Sequence, residues 1–181
     1  MKKQPEITEK TRQSFIDIFC ELYTQKPIEK ISIQEISNKS GYNRSTFYQY
    51  FNDIYELLAY IENDVLNYIL QSKKCMTKPS DVQSIVCLFE EKGKYLEALL
   101  GDYGSIRFLE RLKKEIPSDE LNLNLNFAED NPLLPYLMEF HISTAISLFR
   151  LWQRRQKDLP LEKLFDLIQN LYTTGITSYS L

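Results

Sequence analysis

A chain of 181 residues has room for one or two small domains and for a core that needs no disulfide or metal. Its hydrophobic fraction of 43% and charged fraction of 26% are those of a globular protein and exclude lasting disorder. The most apolar stretch, residues 140–152, is interrupted by polar residues and an arginine, which excludes an ordinary membrane span. The net charge of −3 argues at first against a nucleic-acid partner.

The first ten residues contain lysines but no apolar stretch behind them, so they do not form a secretory signal. Cys20, Cys75 and Cys87 are odd in number and lack CxxC spacing, which favours reduced thiols in a cytoplasmic protein. The one histidine, His141, and these scattered cysteines do not form the ligand set of a zinc site. We expect neither a metal nor a cofactor.

Helical spacing begins close to the amino terminus. The first predicted helix runs from about Thr8 to Gln25 and stops before Pro27. Its apolar side chains recur at the i, i+3, i+4 intervals of one helix face: Phe15, Ile18, Phe19, Leu22 and Tyr23.

Three further helices follow at short intervals. Ser32 to Glu35 has the pattern of a capping box and opens a short second helix that ends at Gly41. Asn43 is expected to cap a third helix, and a longer fourth helix spans about 53–74. The positions expected to hold these helices together are Ile36, Tyr42, Phe47 and Phe51.

Beyond Pro79 the chain again has helical spacing, with a second possible capping box at Ser80 to Gln83. Helices are predicted over about 81–92, 94–100, 104–116, 133–156 and 161–178, with a polar loop at 117–132. Strand-like alternation is hard to find, so the predicted fold is all-α. We predict an amino-terminal domain at 1–52, a connecting fourth helix at 53–78 and a carboxy-terminal helical domain at 79–181.

The pattern at residues 33–58 predicts a helix-turn-helix, since a helix of about eight residues and a glycine turn precede a second short helix. The second helix of such a unit enters the DNA major groove. Its predicted outer side chains can all donate hydrogen bonds: Arg44, Ser45, Thr46, Tyr48, Gln49 and Tyr50.

These residues resemble the TetR family of bacterial transcriptional regulators. Residues 46–51 read TFYQYF, which is similar to the family's T-[LF]-Y-x-[HY]-F signature, and Glu56-Leu57-Leu58 follows. A weaker likeness is to a Gram-positive subgroup that includes activators of dihydroxyacetone-kinase operons. One position departs from the pattern: the family commonly has lysine where this chain has Ile54, so a phosphate contact is missing there or is supplied elsewhere.

The resemblance implies roles for individual residues. Ser32 and Gln34 would meet a phosphate at the start of the second helix, and Tyr48 would donate to another. Arg44, Ser45, Thr46 and Gln49 would meet base edges, and Tyr50 would lie at the groove edge. An arm with Lys2, Lys3, Lys10 and Arg12 would add backbone contacts. Each has a simpler interpretation: Ser32 as a helix cap, the tyrosines as half-buried packing, the arm as solvated.

The resemblance also implies a homodimer on a pseudo-palindromic operator, formed by the last two helices as a four-helix bundle. The expected interface residues are Leu148, Trp152, Leu164, Ile168, Leu171, Tyr172 and Gly175. Apolar stripes of this kind are more often core than interface. An effector, either a small molecule or a protein, would act on the carboxy-terminal domain. The candidate pocket residues, which are equally consistent with ordinary packing, are Phe89, Tyr95, Tyr103, Phe108, Phe140 and His141.

The predicted function is thus a dimeric, sequence-specific repressor; the alternatives are an activator with little small-ligand binding and a helical protein–protein interaction module. An enzyme is disfavoured because GxGxxG, P-loop, HExxH and GxSxG motifs do not occur. The net charge of −3 argues less strongly against DNA binding once its distribution along the chain is considered. Residues 1–50 carry eight basic and six acidic side chains, whereas the remaining 131 carry 14 basic and 19 acidic ones. We therefore expect modest non-specific DNA affinity and specificity from a few polar contacts.

Overall fold

In a computed structural model of the protein, the described residues are 5–75, 82–115 and 132–173. Within these ranges all regular structure is helical, which confirms the predicted fold class. A 3-10 helix at Ile28–Lys30 follows the first of the α-helices, whose bounds are α1 Pro5–Tyr23, α2 Ile33–Ser40, α3 Arg44–Phe47, α4 Ile54–Cys75, α5 Val82–Leu100, α6 Ile106–Glu115, α7 Leu134–Arg154 and α8 Leu161–Thr173.

The prediction of two helices over residues 81–100 is wrong. Residues 82–100 form the single helix α5, not two helices separated at Gly93. Glycine in a helix interior costs about 1 kcal/mol relative to alanine, which is too little to end a helix whose other positions favour it. The predicted loop at 117–132 and the possible capping box at Ser80 lie largely outside the described residues.

The chain forms two compact units. The first combines Met1–Tyr68 with Lys92–Ser105, and the second combines Ile69–Glu91 with Ile106–Leu181. Both α4 and α5 therefore contribute residues to each unit.

The core of the first unit is built on the predicted stripe of α1. Phe15 and Phe19 are fully buried, and Phe15 packs edge-on against Phe47 of α3 with 5.4 Å between ring centroids. Ile36 of α2 and Leu57 of α4 are likewise fully buried. Each such side chain contributes roughly 1.5–3 kcal/mol by leaving water, so the aromatic cluster holds the short α3 in place.

The second unit has an aromatic core of its own. Phe89 of α5 packs against Phe149 of α7 at 5.3 Å and Phe165 of α8 at 5.8 Å between ring centroids. Trp152 packs on Phe149, and its indole Nε1 donates to the Leu159 carbonyl at 2.7 Å. That bond closes the connection between α7 and α8.

Candidate nucleic-acid interface

The helix-turn-helix is formed by α2, a tight turn and α3. The Ser32 hydroxyl accepts a hydrogen bond from the Glu35 amide at 3.1 Å, which confirms the serine half of the predicted capping box. The Glu35 carboxylate binds Lys26 and not the Ser32 amide, so the reciprocal half of that prediction is wrong. At the other end Gly41 has φ 76° and ψ 19°, the left-handed conformation that glycine adopts without strain. The turn then aims the chain into α3, and the Tyr42 amide donates back to the Ser37 carbonyl at 3.0 Å.

The recognition helix α3 begins differently from the prediction. Asn43 occupies the N-cap position, but its side chain makes no capping hydrogen bond, so that part of the prediction is wrong. The regular helix ends at Phe47, and the helical turn continues through Tyr48, with the amides of Tyr50 and Phe51 donating to the Phe47 carbonyl. The segment after Phe47 thus keeps its side chains in helical register.

The predicted contact residues of α2 and α3 lie mainly on the protein surface. Thr46 and Tyr50 are half-buried, whereas the others are exposed: Ser32, Gln34, Arg44, Ser45, Tyr48 and Gln49. Gln34 donates from Nε2 to Asn38 Oδ1 at 2.7 Å along the outer face of α2. Ile36, Phe47 and Phe51 are buried beneath, as predicted. The arrangement places a polar, donor-rich surface over an apolar core.

Arg44 and Tyr48 form a pair on the exposed face of α3. Arg44 Nε and Nη2 donate to the Tyr48 hydroxyl at 3.2 Å and 2.8 Å, and the guanidinium carbon lies 5.5 Å from the tyrosine ring centroid. The Tyr48 ring meets the buried Phe47 ring edge-on at 6.0 Å, although Tyr48 itself is 46% exposed. The core therefore supports the tyrosine, and the tyrosine supports the arginine.

Arg12, expected in a DNA-contacting arm, lies instead against two tyrosines of the first unit. Its guanidinium carbon is 5.9 Å from the Tyr50 ring centroid and 5.8 Å from that of Tyr60, and Nη1 binds the Glu9 carboxylate at 2.8 Å. Tyr50 also packs on Phe15. Lys10 is exposed, whereas Lys2 and Lys3 lie outside the described residues.

Carboxylates of the same unit neutralise two of its lysines. Lys26 binds both carboxylate oxygens of Glu35 at 2.7 Å, and Lys39 binds Glu21 at 3.0 Å. These contacts reduce the positive potential near α2 below what the two lysines alone would produce. Arg44, on the same helix-turn-helix, is held by a neutral hydroxyl and keeps its full charge.

The start of α4 differs from the family pattern in charge as well as in residue type. Ile54, at the common lysine position, is half-buried. The Glu56 amide donates to Asp53 Oδ1 at 2.8 Å, and the Glu56 carboxylate accepts from the Asn52 amide. Two carboxylates thus lie at this helix end, where the family commonly presents a cation.

The candidate effector residues are divided between the two units. Tyr95 and Tyr103 belong to the first; Tyr95 accepts from Gln13 Nε2 at 2.9 Å, and burial raises its pKa to about 12. Phe89, Phe108, Phe140 and His141 belong to the second. Phe108 is fully buried, Phe140 is 62% exposed, and burial lowers the pKa of His141, which keeps its imidazole neutral at pH 7. No group of three metal-ligand side chains occurs among the described residues.

The predicted dimer residues are partly internal. Trp152, Leu164 and Ile168 are buried within the chain itself, Leu148 and Leu171 are half-buried, Tyr172 lies in α8 and Gly175 is outside the described residues. Sequence reasoning missed the exposed Tyr136 and Leu151 on α7, and it assigned the likewise exposed Phe140 to the pocket. Their helical spacing was visible in the sequence, but spacing alone does not distinguish the two faces of an apolar helix.

The buried cysteine of α1 lacks the properties of a catalytic nucleophile. Cys20 is a buried free thiol, and its burial, together with the nearby Asp17, raises its pKa to about 12. A thiol of that pKa is not a nucleophile at neutral pH. Within the described ranges no helix combines the length and apolarity that crossing a bilayer requires.

Comparison with known proteins agrees with this geometry. The family model described as "Bacterial regulatory proteins, tetR family" matches residues 19–61, which include the end of α1, the helix-turn-helix and the start of α4. No curated protein sequence matches the chain.

Solved structures of regulators share the fold. The TetR transcriptional regulator from Streptococcus agalactiae 2603V is similar over 92% of this chain and 96% of its own, at 20% identity and a TM-score of 0.64. A tetR-family regulator from Streptomyces coelicolor is similar over 94% and 82%, at 19% identity and 0.59. The dihydroxyacetone kinase operon activator DhaS is similar over 94% and 98%, at 17% identity and 0.54.

The fold and the exposed polar face of α3 are those of a helix-turn-helix unit, the kind of unit that places its second helix in the DNA major groove. Residues 19–61 match the DNA-binding segment of the tetR family of bacterial regulatory proteins, and the whole chain shares the fold of solved TetR-family regulators. Regulators of this family are non-enzymatic.

Proposed function

We propose that the protein is a homodimeric repressor that binds a pseudo-palindromic operator and is released from it by an effector. The observation that carries the proposal is the exposed pair of Arg44 and Tyr48 on α3, supported by the buried Phe47. Arginine is the side chain best suited to guanine in the major groove, and the short α3 is held at the surface where a groove can receive it. Such a protein acts in the bacterial cytoplasm, where its operator is.

Each proposed DNA contact follows from residue chemistry. Arg44, Ser45, Thr46 and Gln49 meet base edges, and Tyr48 donates to a phosphate. Tyr50 lies at the groove edge, where its ring is fixed by Phe15 and Arg12. At the start of α2, Ser32 and Gln34 position the helix-turn-helix on the phosphate backbone of the DNA.

The proposed dimer forms through α7 and α8. Tyr136, Phe140, Ser147 and Leu151 are exposed on α7 at intervals of four, seven and four residues, which places them on one face of that helix. A twofold axis against this face brings two copies of an apolar stripe together. In the proposal Leu148, Leu171, Tyr172 and Gly175 border the interface, and the buried Trp152, Leu164 and Ile168 support it from behind.

The proposed regulation is thermodynamic linkage between DNA and an effector that binds the carboxy-terminal domain. An effector that favours a different spacing of the two helix-turn-helix units in the dimer lowers operator affinity. Operator DNA then lowers effector affinity by the same factor. The connecting helix is α4, in line with proposed boundaries at 1–52, 53–78 and 79–181. Phe89, Phe108 and His141 are candidates for the effector site, with the neutral imidazole as its hydrogen-bonding group.

The test is selection of duplexes from a randomised pool, followed by affinity and salt titration on the enriched sequence. We expect an inverted repeat, a complex with two protein chains per duplex, and a steep fall in affinity as salt rises. Absent enrichment together with salt-insensitive binding would instead support a protein–protein interaction module. Transcription from a promoter carrying the selected site distinguishes a repressor from an activator such as DhaS.

A further inference from the structure

The Arg44–Tyr48 contact uses one particular edge of the guanidinium. Nε and Nη2, which lie side by side, both donate to the same tyrosine oxygen. A guanidinium has five N–H donors in a rigid plane, so two of them are engaged. The edge formed by Nη1 and the second hydrogen of Nη2 makes no hydrogen bond or ion pair with the described residues.

That second edge has the geometry that reads guanine. Two parallel N–H groups match the O6 and N7 acceptors of guanine in the major groove. Since the Tyr48 oxygen receives two hydrogen bonds from Arg44, its own proton points away from the guanidinium and is available to an acceptor. The phosphate oxygens of the DNA backbone are acceptors for such a proton.

Tyr48 is better fixed than Arg44. Its ring turns about two side-chain torsions and rests on Phe47, which is fully buried. Arg44 has a longer chain, is exposed, and gains both a hydrogen-bonded edge and a cation–π contact from the ring. Immobilising such a flexible side chain opposes binding, and a partner that orders it before DNA arrives lowers that cost.

We propose that Tyr48 is a positioning residue for Arg44. Its hydroxyl holds the Nε edge of the guanidinium, so that the opposite edge is presented to a guanine, while the tyrosine proton goes to a phosphate. This inference rests on the proposed DNA-binding function and adds that one side chain couples backbone contact to base discrimination. Tyr48 thereby determines sequence specificity at a base that it does not touch.

The test compares Arg44→Ala, Tyr48→Phe and the double variant. The probe is the duplex that wild-type protein selects from a randomised pool, together with versions carrying each of the four base pairs at every half-site position. Tyr55→Phe is the matched control, because it removes a hydroxyl from another exposed tyrosine of the same unit. Thermal unfolding of every variant shows that the fold is kept.

Arg44→Ala should abolish preference for one G·C pair, a preference of roughly 5- to 150-fold in the wild type. Tyr48→Phe should weaken the same preference by roughly 3- to 10-fold, besides lowering affinity on all duplexes. The double variant should discriminate no worse than Arg44→Ala alone, and Tyr55→Phe should match the wild type. Equal losses of Tyr48→Phe on all four base pairs would overturn the inference, since they would make Tyr48 a phosphate contact only.

A DNA-free measurement keeps the inference testable if Tyr48→Phe binds too weakly. The NMR order parameter of the Arg44 Nε–H bond should fall in Tyr48→Phe and stay unchanged in Tyr55→Phe. An unchanged order parameter in both variants overturns the inference while leaving DNA binding intact. If the wild-type protein enriches no sequence, the proposed function fails first, and the inference fails with it.

Discussion

Lys92 of α5 binds Asp64 of α4, and its ammonium lies 5.5 Å and 5.4 Å from the ring centroids of Tyr68 and Tyr95. Tyr95 in turn is hydrogen-bonded to Gln13 of α1. The end of α5 is therefore tied to both α1 and α4, within the unit that contains the helix-turn-helix. Although α5 is distant in sequence, it helps to hold α1 in the unit that contains the helix-turn-helix.

Replacing Lys92 with methionine should lower the free energy of unfolding by about 1 kcal/mol. Methionine keeps most of the apolar stem of lysine, but Asp64 loses its partner. Water offsets part of that loss, because the Asp64 side chain is 35% exposed. Lys94→Met is the control: Lys94 is 75% exposed and 3.6 Å from Asp17, so its loss should stay within about 0.5 kcal/mol. Urea unfolding at equal protein concentration measures the stability of both variants. Equal losses would contradict a stabilising role of the Lys92–Asp64 ion pair.

Two glycine-to-alanine changes should have opposite signs. Gly41→Ala should destabilise the protein by about 1–2 kcal/mol, because φ there is +76°, which a residue with a Cβ adopts only with strain. No atom lies within 4 Å of the added methyl group, so no new contact offsets that strain. Gly93→Ala, also in open space but inside α5, should stabilise it by roughly 0.5–1 kcal/mol. Shifts of the urea midpoint in the same direction would contradict the assigned backbone conformations, left-handed at Gly41 and helical at Gly93.

Stability should fall as the solution becomes alkaline above pH 9. Burial raises the pKa of Cys20 from 9.0 to about 12, so between those values the unfolded chain loses a proton that the folded chain keeps. Folding is therefore disfavoured progressively, by about 1.4 kcal/mol per pH unit from this group. Burial also raises the pKa of Tyr23 from 10.0 to about 12, so this tyrosine adds to the loss of stability above pH 10.

Cys20→Ala separates the thiol from the other titrating groups. Between pH 9 and pH 10 the variant's free energy of unfolding, measured with urea in reducing buffer, should decline less steeply than that of the wild type. The cavity left by the smaller side chain lowers stability equally at every pH and does not change the slope. Parallel curves over this interval would mean that the Cys20 thiol titrates normally in the folded protein.

Glu35→Gln should strengthen binding to random duplex DNA several-fold and make it more sensitive to salt. Glu35 binds the Lys26 ammonium through both carboxylate oxygens, and the amide releases that charge beside the start of α2. One more neutralised phosphate steepens the slope of log affinity against log salt by about 0.9. Glu29→Gln makes the same charge change at an exposed position of the 3-10 helix and controls for net charge. Identical slopes for the two variants would show that Lys26 does not reach DNA.

The sequence was sufficient to predict the helix-turn-helix because its determinants are local. The Ser32 cap and the left-handed Gly41 act within a few residues of their own positions, and the stripe of α1 follows the helical period. The Arg44–Tyr48 contact joins neighbours four residues apart on one helix, so its spacing was present in the sequence as well.

The remaining features depend on contacts between distant residues. Arg12 lies between Tyr50 and Tyr60, and Lys92 meets Asp64, for reasons that only the packed arrangement of helices provides. Apolar periodicity located α7 and α8 but did not tell which face is internal, so Trp152 and Ile168 were assigned to a dimer surface although they are buried in the chain.

Trp152 gives the protein an intrinsic optical label. It is the one tryptophan of the sequence, and it is buried in the second unit between Phe149 and the Leu159 carbonyl. Fluorescence excited at the red edge of the absorption band, where tyrosine does not absorb, therefore reports on that unit alone. Circular dichroism, by contrast, follows all the helices. The two signals, recorded on one unmodified sample, distinguish unfolding of the first unit, which contains the helix-turn-helix, from unfolding of the second unit.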